Sequence, residues 1–191
     1  DDKHYFKQFE TSGYKALEEL RKHGAIKAVG LGVNEVEICE RVMNIGQFDC
    51  FLLAGRYSLL EQDPIHQFLP KCEEHGASII LGGPYNSGIL ATGVHGKSIP
   101  HYDYAPAPKH IIERVAKIEA VCTQYQVTLA AAALQFPLGH SAVASVIPGL
   151  GSAKRVQHTI ELFDEVIPDE FWQTLKDKSL LDQAAPLPNT K

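Results

Sequence analysis

The chain has 191 residues, 45% hydrophobic and 21% charged, the balance of a globular protein with room for a real core. A formal net charge of -5 leaves no basic footprint for nucleic acid or anionic lipid, and no apolar run reaches the ~20 residues of a membrane helix. Cys39, Cys50, Cys72 and Cys122 stand apart without CxxC spacing and the nine histidines form no HxH or HExxH array, so reduced, mostly buried thiols, no metal and a cytoplasmic location are expected.

Asp1-Asp2-Lys3-His4 has neither an initiator Met nor the layout of a signal peptide, so the chain is expected to begin after processing or inside something longer. Residues 1–12 read as a lead-in. Tyr14, Leu17 and Leu20 then share one helical face, and Gly24 stops that helix where a left-handed residue is needed. Residues 26–31 form a largely apolar run, which suits a parallel strand buried on both faces. Asn34 with Glu37 resembles a capping box for a helix through about Asn44, closed by Gly46. The next strand is residues 48–54. Asp63-Pro64 opens a helix carrying Ile65, Phe68, Leu69 and Cys72, ended by Gly76. A third strand, residues 78–81, runs into the glycine-rich turn 82–88, and a loop follows from about Gly93 to Pro108. Ile111, Val115, Ile118 and Cys122 mark a long helix, and Thr128 is placed to cap another over residues 129–136. Residues 142–147 are the fourth strand, Ser152 caps a helix to about Leu162, and Pro168 opens the last. The tail, residues 181–191, carries Ala185-Pro186-Leu187-Pro188 and is expected to be extended. Strands alternating with helices predict βαβ units and a parallel sheet within a single domain, residues 1–191. Period alone leaves two architectures open: a doubly wound sheet, or part of an eight-stranded βα barrel.

Four segments then carry a resemblance. Residues 16–20 with 24–30 (ALEEL…GAIKAVG), residues 57–60 (YSLL), residues 83–90 (GPYNSGIL), and Val146-Ile147-Pro148-Gly149 with Ser152 and Arg155 occur in one order. Together they resemble the aldo-keto reductases, whose corresponding segments precede strand five and follow strands six, seven and eight of a (β/α)8 TIM barrel. The resemblance implies an α/β fold of which this chain covers about the second half. Residues 30–35, 53–57 and 82–88 are most similar to the aldose (galactose/fucose-type) 1-dehydrogenase and pyridoxal dehydrogenase branch. That branch implies oxidation of a sugar or related aldehyde, with hydride passing to a nicotinamide.

Each segment falls at the C-terminal end of a predicted strand, where barrel enzymes place their sites. The Asn34 amide both donates and accepts, as clamping a carboxamide requires, although Gly32 and Val33 occupy the family's direct positions. A plain helix cap is the alternative for Asn34. Gly83, Tyr85 and Ser87 lie in a turn of closely spaced N–H groups with one hydroxyl, suited to a pyrophosphate. Gly82 holds the position at which the family often stacks a tyrosine on the nicotinamide. Ser152 and Arg155 open a helix whose positive end favours phosphate, with Arg155 implied against the adenine and Ser152 near the ribose. Gly149 stands where NADP-preferring members commonly carry a lysine, so the resemblance leans to NAD over NADP.

No catalytic residue is assigned in this chain. The family's Asp, Tyr, Lys and His come from the ends of the first four strands, and these are expected upstream of Asp1. The 191 residues alone are therefore expected to bind cofactor poorly and not to turn over. They are expected to associate with the missing N-terminal half or as a homodimer. The rival reading is a non-catalytic nicotinamide-binding module.

Overall fold

The computed structural model describes residues 2–96 and 99–188. Its centre is a four-stranded sheet of β1 (Gly30–Val33), β2 (Cys50–Ala54), β3 (Ser78–Gly82) and β6 (Val143–Ile147), in the order β1-β2-β3-β6 with every pair parallel. The order follows the sequence without reversal, so the sheet has no switch point at which winding changes direction. That removes the doubly wound alternative. The connections are α3 (Val36–Met43) between β1 and β2, and a 3-10 turn (Asp63–His66) leading into α4 (Phe68–His75) between β2 and β3. A longer crossover joins β3 to β6 through α5 (Ile89–Thr92), α6 (Lys109–Tyr125) and α7 (Leu129–Gln135). It also contains a small antiparallel hairpin, β4 (His101–Tyr102) and β5 (Ala105–Pro106). Helices α8 (Ala153–Asp164) and α9 (Asp169–Asp177) follow β6.

One face of the sheet is the core. Phe51, Leu53, Ile79 and Leu81 point to it and are fully buried, together with Phe68, Leu69, Val115 and Ile118 from α4 and α6. A cluster of tilted and edge-on aromatic rings, Tyr57, Phe136, Trp172 and Phe171, continues it. The opposite face carries small residues (Gly30, Gly32, Ala54, Gly82) with Leu52 and Ile147, which remain 40% and 44% exposed. All four cysteines are free, and burial pushes the Cys39, Cys72 and Cys122 thiols up to about 12, too high for reactivity at neutral pH.

Most helix ends fall where the side chains predict. Gly24 and Gly76 adopt left-handed φ values of 71° and 67°. In both, the next residue's N–H closes a wider loop, Ala25 to Leu20 O and Ala77 to Cys72 O, which satisfies the last carbonyls. The Ser152 hydroxyl accepts the Arg155 N–H at 3.3 Å and caps α8. Other expectations need correction. The lead-in is helical: α1 (Asp2–Gln8) passes through a π-turn (Phe9–Gly13) into α2 (Tyr14–Lys22), on which Leu20 is 45% exposed. The first strand lies at residues 30–33, not 26–31, because the Asp49 carboxylate takes the Val29 N–H at 2.7 Å before the ladder begins. The first turn after Asp63 is 3-10, and α-helix starts only at Phe68. Asn34 does not cap α3; Glu35 holds that position, with no side-chain cap bond. Thr128 does hold the N-cap position of α7, as expected, though without a side-chain cap bond. Residues 185–188 form no regular element, and residues 189–191 of the tail lie outside the described residues.

Candidate active site

The loops leaving the C-terminal ends of all four parallel strands converge on one cavity of about 580 Å³, a size usual for small-molecule and cofactor sites. Of the residues singled out from sequence, Asn34, Gly83, Tyr85, Ser87, Gly149 and Arg155 line it together. Ser152 is not in the lining, its hydroxyl being the α8 cap.

The floor is built by β2 and β3. Gly55 N–H donates to Gly82 O at 2.9 Å, and the buried Asn86 amide donates to Gly55 O at 3.3 Å. The Ser58 hydroxyl donates to Asn86 Oδ1 at 2.6 Å while accepting the N–H groups of Leu60 and Glu61, each at 3.2 Å. One buried side chain thus ties the two loops together. Gly83, Asn86, Ser87 and Gly88 all have positive φ, and Gly83 at 61° turns the chain sharply off β3. Two N–H groups of this turn are spent internally, Asn86 on Gly83 O and Gly88 on Tyr85 O. The Ser87 hydroxyl accepts the Tyr104 N–H at 2.9 Å and keeps its own proton for a ligand.

Asn34 is exposed at the end of β1. Its carbonyl accepts Arg56 Nε at 2.9 Å, which draws the Arg56 guanidinium across the mouth to within 3.9 Å of Asp103. Arg155 and His158 face the opposite end from α8, and Arg155 makes no ion pair among the described residues. Asp103 is the one carboxylate among the described lining residues, against two arginines, and that charge balance suits an anionic dinucleotide. Burial raises the Tyr85 phenol above its ordinary value and also raises the nearby Glu61 carboxyl, which Arg56 partly offsets. Tyr57, in the YSLL segment, lies outside the lining. It is fully buried without a hydrogen-bond partner and its pKa is raised by burial, so its part is packing.

Sequence reasoning missed the hairpin tip, Asp103 and Tyr104, together with His158 and Thr159. The last two were recoverable, since α8 places them three and four residues beyond Arg155, on the same helical face. The tip carried no turn glycine to reveal it.

The chain is similar to several known proteins. The chain is 45% identical over 169 residues to pyridoxal 4-dehydrogenase of Microbacterium luteolum, an alignment of 88% of this chain and 49% of the relative. It is 33% identical over 171 residues to D-threo-aldose 1-dehydrogenase of Pseudomonas sp, covering 90% of this chain and 52% of that protein. The chain thus spans about half the length of the curated relatives it matches. The apo structure of an aldo-keto reductase from Bacillus halodurans superposes with a TM-score of 0.68 at 23% identity, over 88% of this chain and 56% of that one. The shared fold is a (β/α)8 barrel, of which the four parallel strands form part. Residues 2–179 match the Aldo/keto reductase family, and with these relatives they show that the chain belongs to it.

Proposed function

We propose that the chain forms the dinucleotide-binding part of a dehydrogenase that oxidises a small aldehyde or cyclic hemiacetal with NAD or NADP. The observation that carries this reading is the single cavity joining Asn34 and Ser87 on two strand-end loops with Arg155 in the first turn of α8, with an excess of positive charge. When bound, the nicotinamide accepts a hydride from the substrate carbon. The residues here bind and orient. Ser87 has a hydroxyl proton to offer a phosphate oxygen, Arg155 offers its guanidinium at the far end, and the Asn34 amide is placed to hold a carboxamide at the strand ends. The described lining residues include Tyr85, Tyr102 and Tyr104 and no lysine. We therefore assign proton transfer to the complementing part of the barrel, and the 191 residues alone are expected not to turn over.

Two substrates fit the chemistry. Aldoses and pyridoxal both present a ring hemiacetal, whose carbon loses hydride as its hydroxyl loses a proton to give a lactone. The higher identity to the pyridoxal enzyme, 45% against 33%, supports pyridoxal as the first substrate to test, with galactose- or fucose-like sugars beside it. The test uses the complete product of the reading frame that encodes the chain. Dinucleotide affinity is measured by calorimetry, and reduced nicotinamide is followed by absorbance with pyridoxal, galactose or fucose. Reduction of NAD with pyridoxal is expected. A product that binds neither NAD nor NADP would end the proposal.

A further inference from the structure

The hairpin tip is a two-residue turn in which Asp103 and Tyr104 both adopt left-handed φ values, 48° and 62°. Such turns take Asn or Asp followed by glycine, so Asp103 suits its place and Tyr104 does not. A side chain with a Cβ is strained there, and glycine would not be. The Tyr104 ring returns nothing to the fold: it is 82% exposed, whereas Tyr85 and Tyr102 pack against the core. A strained residue that stabilises nothing calls for a functional account.

The tip is nevertheless held in place. The Tyr104 N–H reaches the Ser87 hydroxyl on the loop after β3. Asp103 faces Arg56, which is bonded to the carbonyl of Asn34 on the loop after β1. This latch holds Tyr104 in the lining of the cavity that Ala54, Gly55 and Gly83 also line. Those three residues are nearly bare backbone. They support one face of a flat ring and offer no side chain to grip the other.

We propose that Tyr104 supplies the second face, stacking on a planar heteroaromatic ring held in the cavity mouth. The inference rests on the dinucleotide-binding reading above. The ring is the cofactor's adenine or a pyridine-type substrate, since a nicotinamide covered on both faces could not receive a hydride, and the experiment separates the two. Tyr104→Gly and Tyr104→Phe are made in the complete reading-frame product. Glycine keeps the N–H for Ser87 and relaxes the turn, so the thermal midpoint should stay level or rise. If the ring is the cofactor's, the Kd for NAD rises about tenfold in Tyr104→Gly and stays near wild type in Tyr104→Phe. If it is the substrate's, Kd holds while KM for pyridoxal rises about tenfold and KM for galactose, a saturated ring, is unchanged. Unchanged Kd and pyridoxal KM in Tyr104→Gly overturn the inference and leave the dinucleotide reading intact. A fall in midpoint together with affinity also overturns it, since the ring would then be structural. Wild-type protein that binds neither dinucleotide sinks both.

Discussion

Replacing Asn86 by alanine should cost about 3 kcal/mol, although the residue is small and lies in a loop. Its amide accepts from Ser58 at 2.6 Å and donates to Gly55 O at 3.3 Å, and both side chains are buried. Alanine leaves the Ser58 hydroxyl proton unpaired in the interior, about 1–2 kcal/mol, and loses the long second bond, about 0.5 kcal/mol. The backbone adds a third part. Asn86 sits at φ 43°, where asparagine is tolerated and alanine costs about 1 kcal/mol. Asn86→Gly loses the same two bonds without the backbone cost, so it should be about 1 kcal/mol milder than alanine. Urea unfolding followed through Trp172, the only tryptophan of the chain and fully buried, measures all three proteins. A cycle with Ser58→Ala should return a coupling of about 1 kcal/mol. Alanine and glycine variants of equal stability, or a loss below about 1 kcal/mol, would refute the argument that this side chain fastens the two loops.

Two further outcomes are expected. His140 is buried, and its Nδ1 accepts the Ala142 N–H at 3.1 Å, a bond lost on protonation. Burial lowers its pKa, with Glu73 opposing. The unfolded state therefore takes up the proton first, and stability is whole above the unfolded value of about 6.5 and declines as pH falls from there through the folded value. Urea midpoints between about pH 7.5 and about pH 5 should slope less in His140→Gln than in wild type. Separately, a Cβ on Gly149 would meet nothing within 4 Å, so Gly149→Lys should fold normally. It should also improve NADP affinity relative to NAD by about tenfold, checked by calorimetry with both dinucleotides.

How far the sequence disclosed this molecule depended on whether a feature was local. The glycine stops at Gly24 and Gly76 and the Ser152 cap act within a few residues, and they stand where the side chains predict. The first strand misled because Ile26 and Val29 have higher strand propensity than Gly30 and Gly32. Packing reversed that preference. A Cβ at position 30 would lie 2.6 Å from Cys50 Sγ and 2.9 Å from its carbonyl oxygen, so the glycine permits β1 to lie against β2. The hairpin gave no signal because its strands are two residues each, with proline in one and no turn glycine between them. The site divided the same way. Asn34 and the turn 83–88 were legible as strand-end loop residues, and Arg155 as part of a helix start. The reach of Arg56 to Asn34 O and Asp103 spans 22 and 47 positions in the chain, which periodicity cannot register.

The division of the sheet into two unlike faces bears on how binding and catalysis are partitioned. The core face is closed by the chain's own helices, and it is this face that fixes the strand ends from which the cavity loops depart. The other face, with Leu52 and Ile147 partly exposed and β1 and β6 each paired on one side only, is left unfinished by these residues. Closing a barrel over it would bury apolar surface without rebuilding the lining described here. Arg56, the Ser87 hydroxyl and the Asn86 tie belong to the loops after β2 and β3, and Arg155 to the first turn of α8. The cradle is therefore set by local packing within this half.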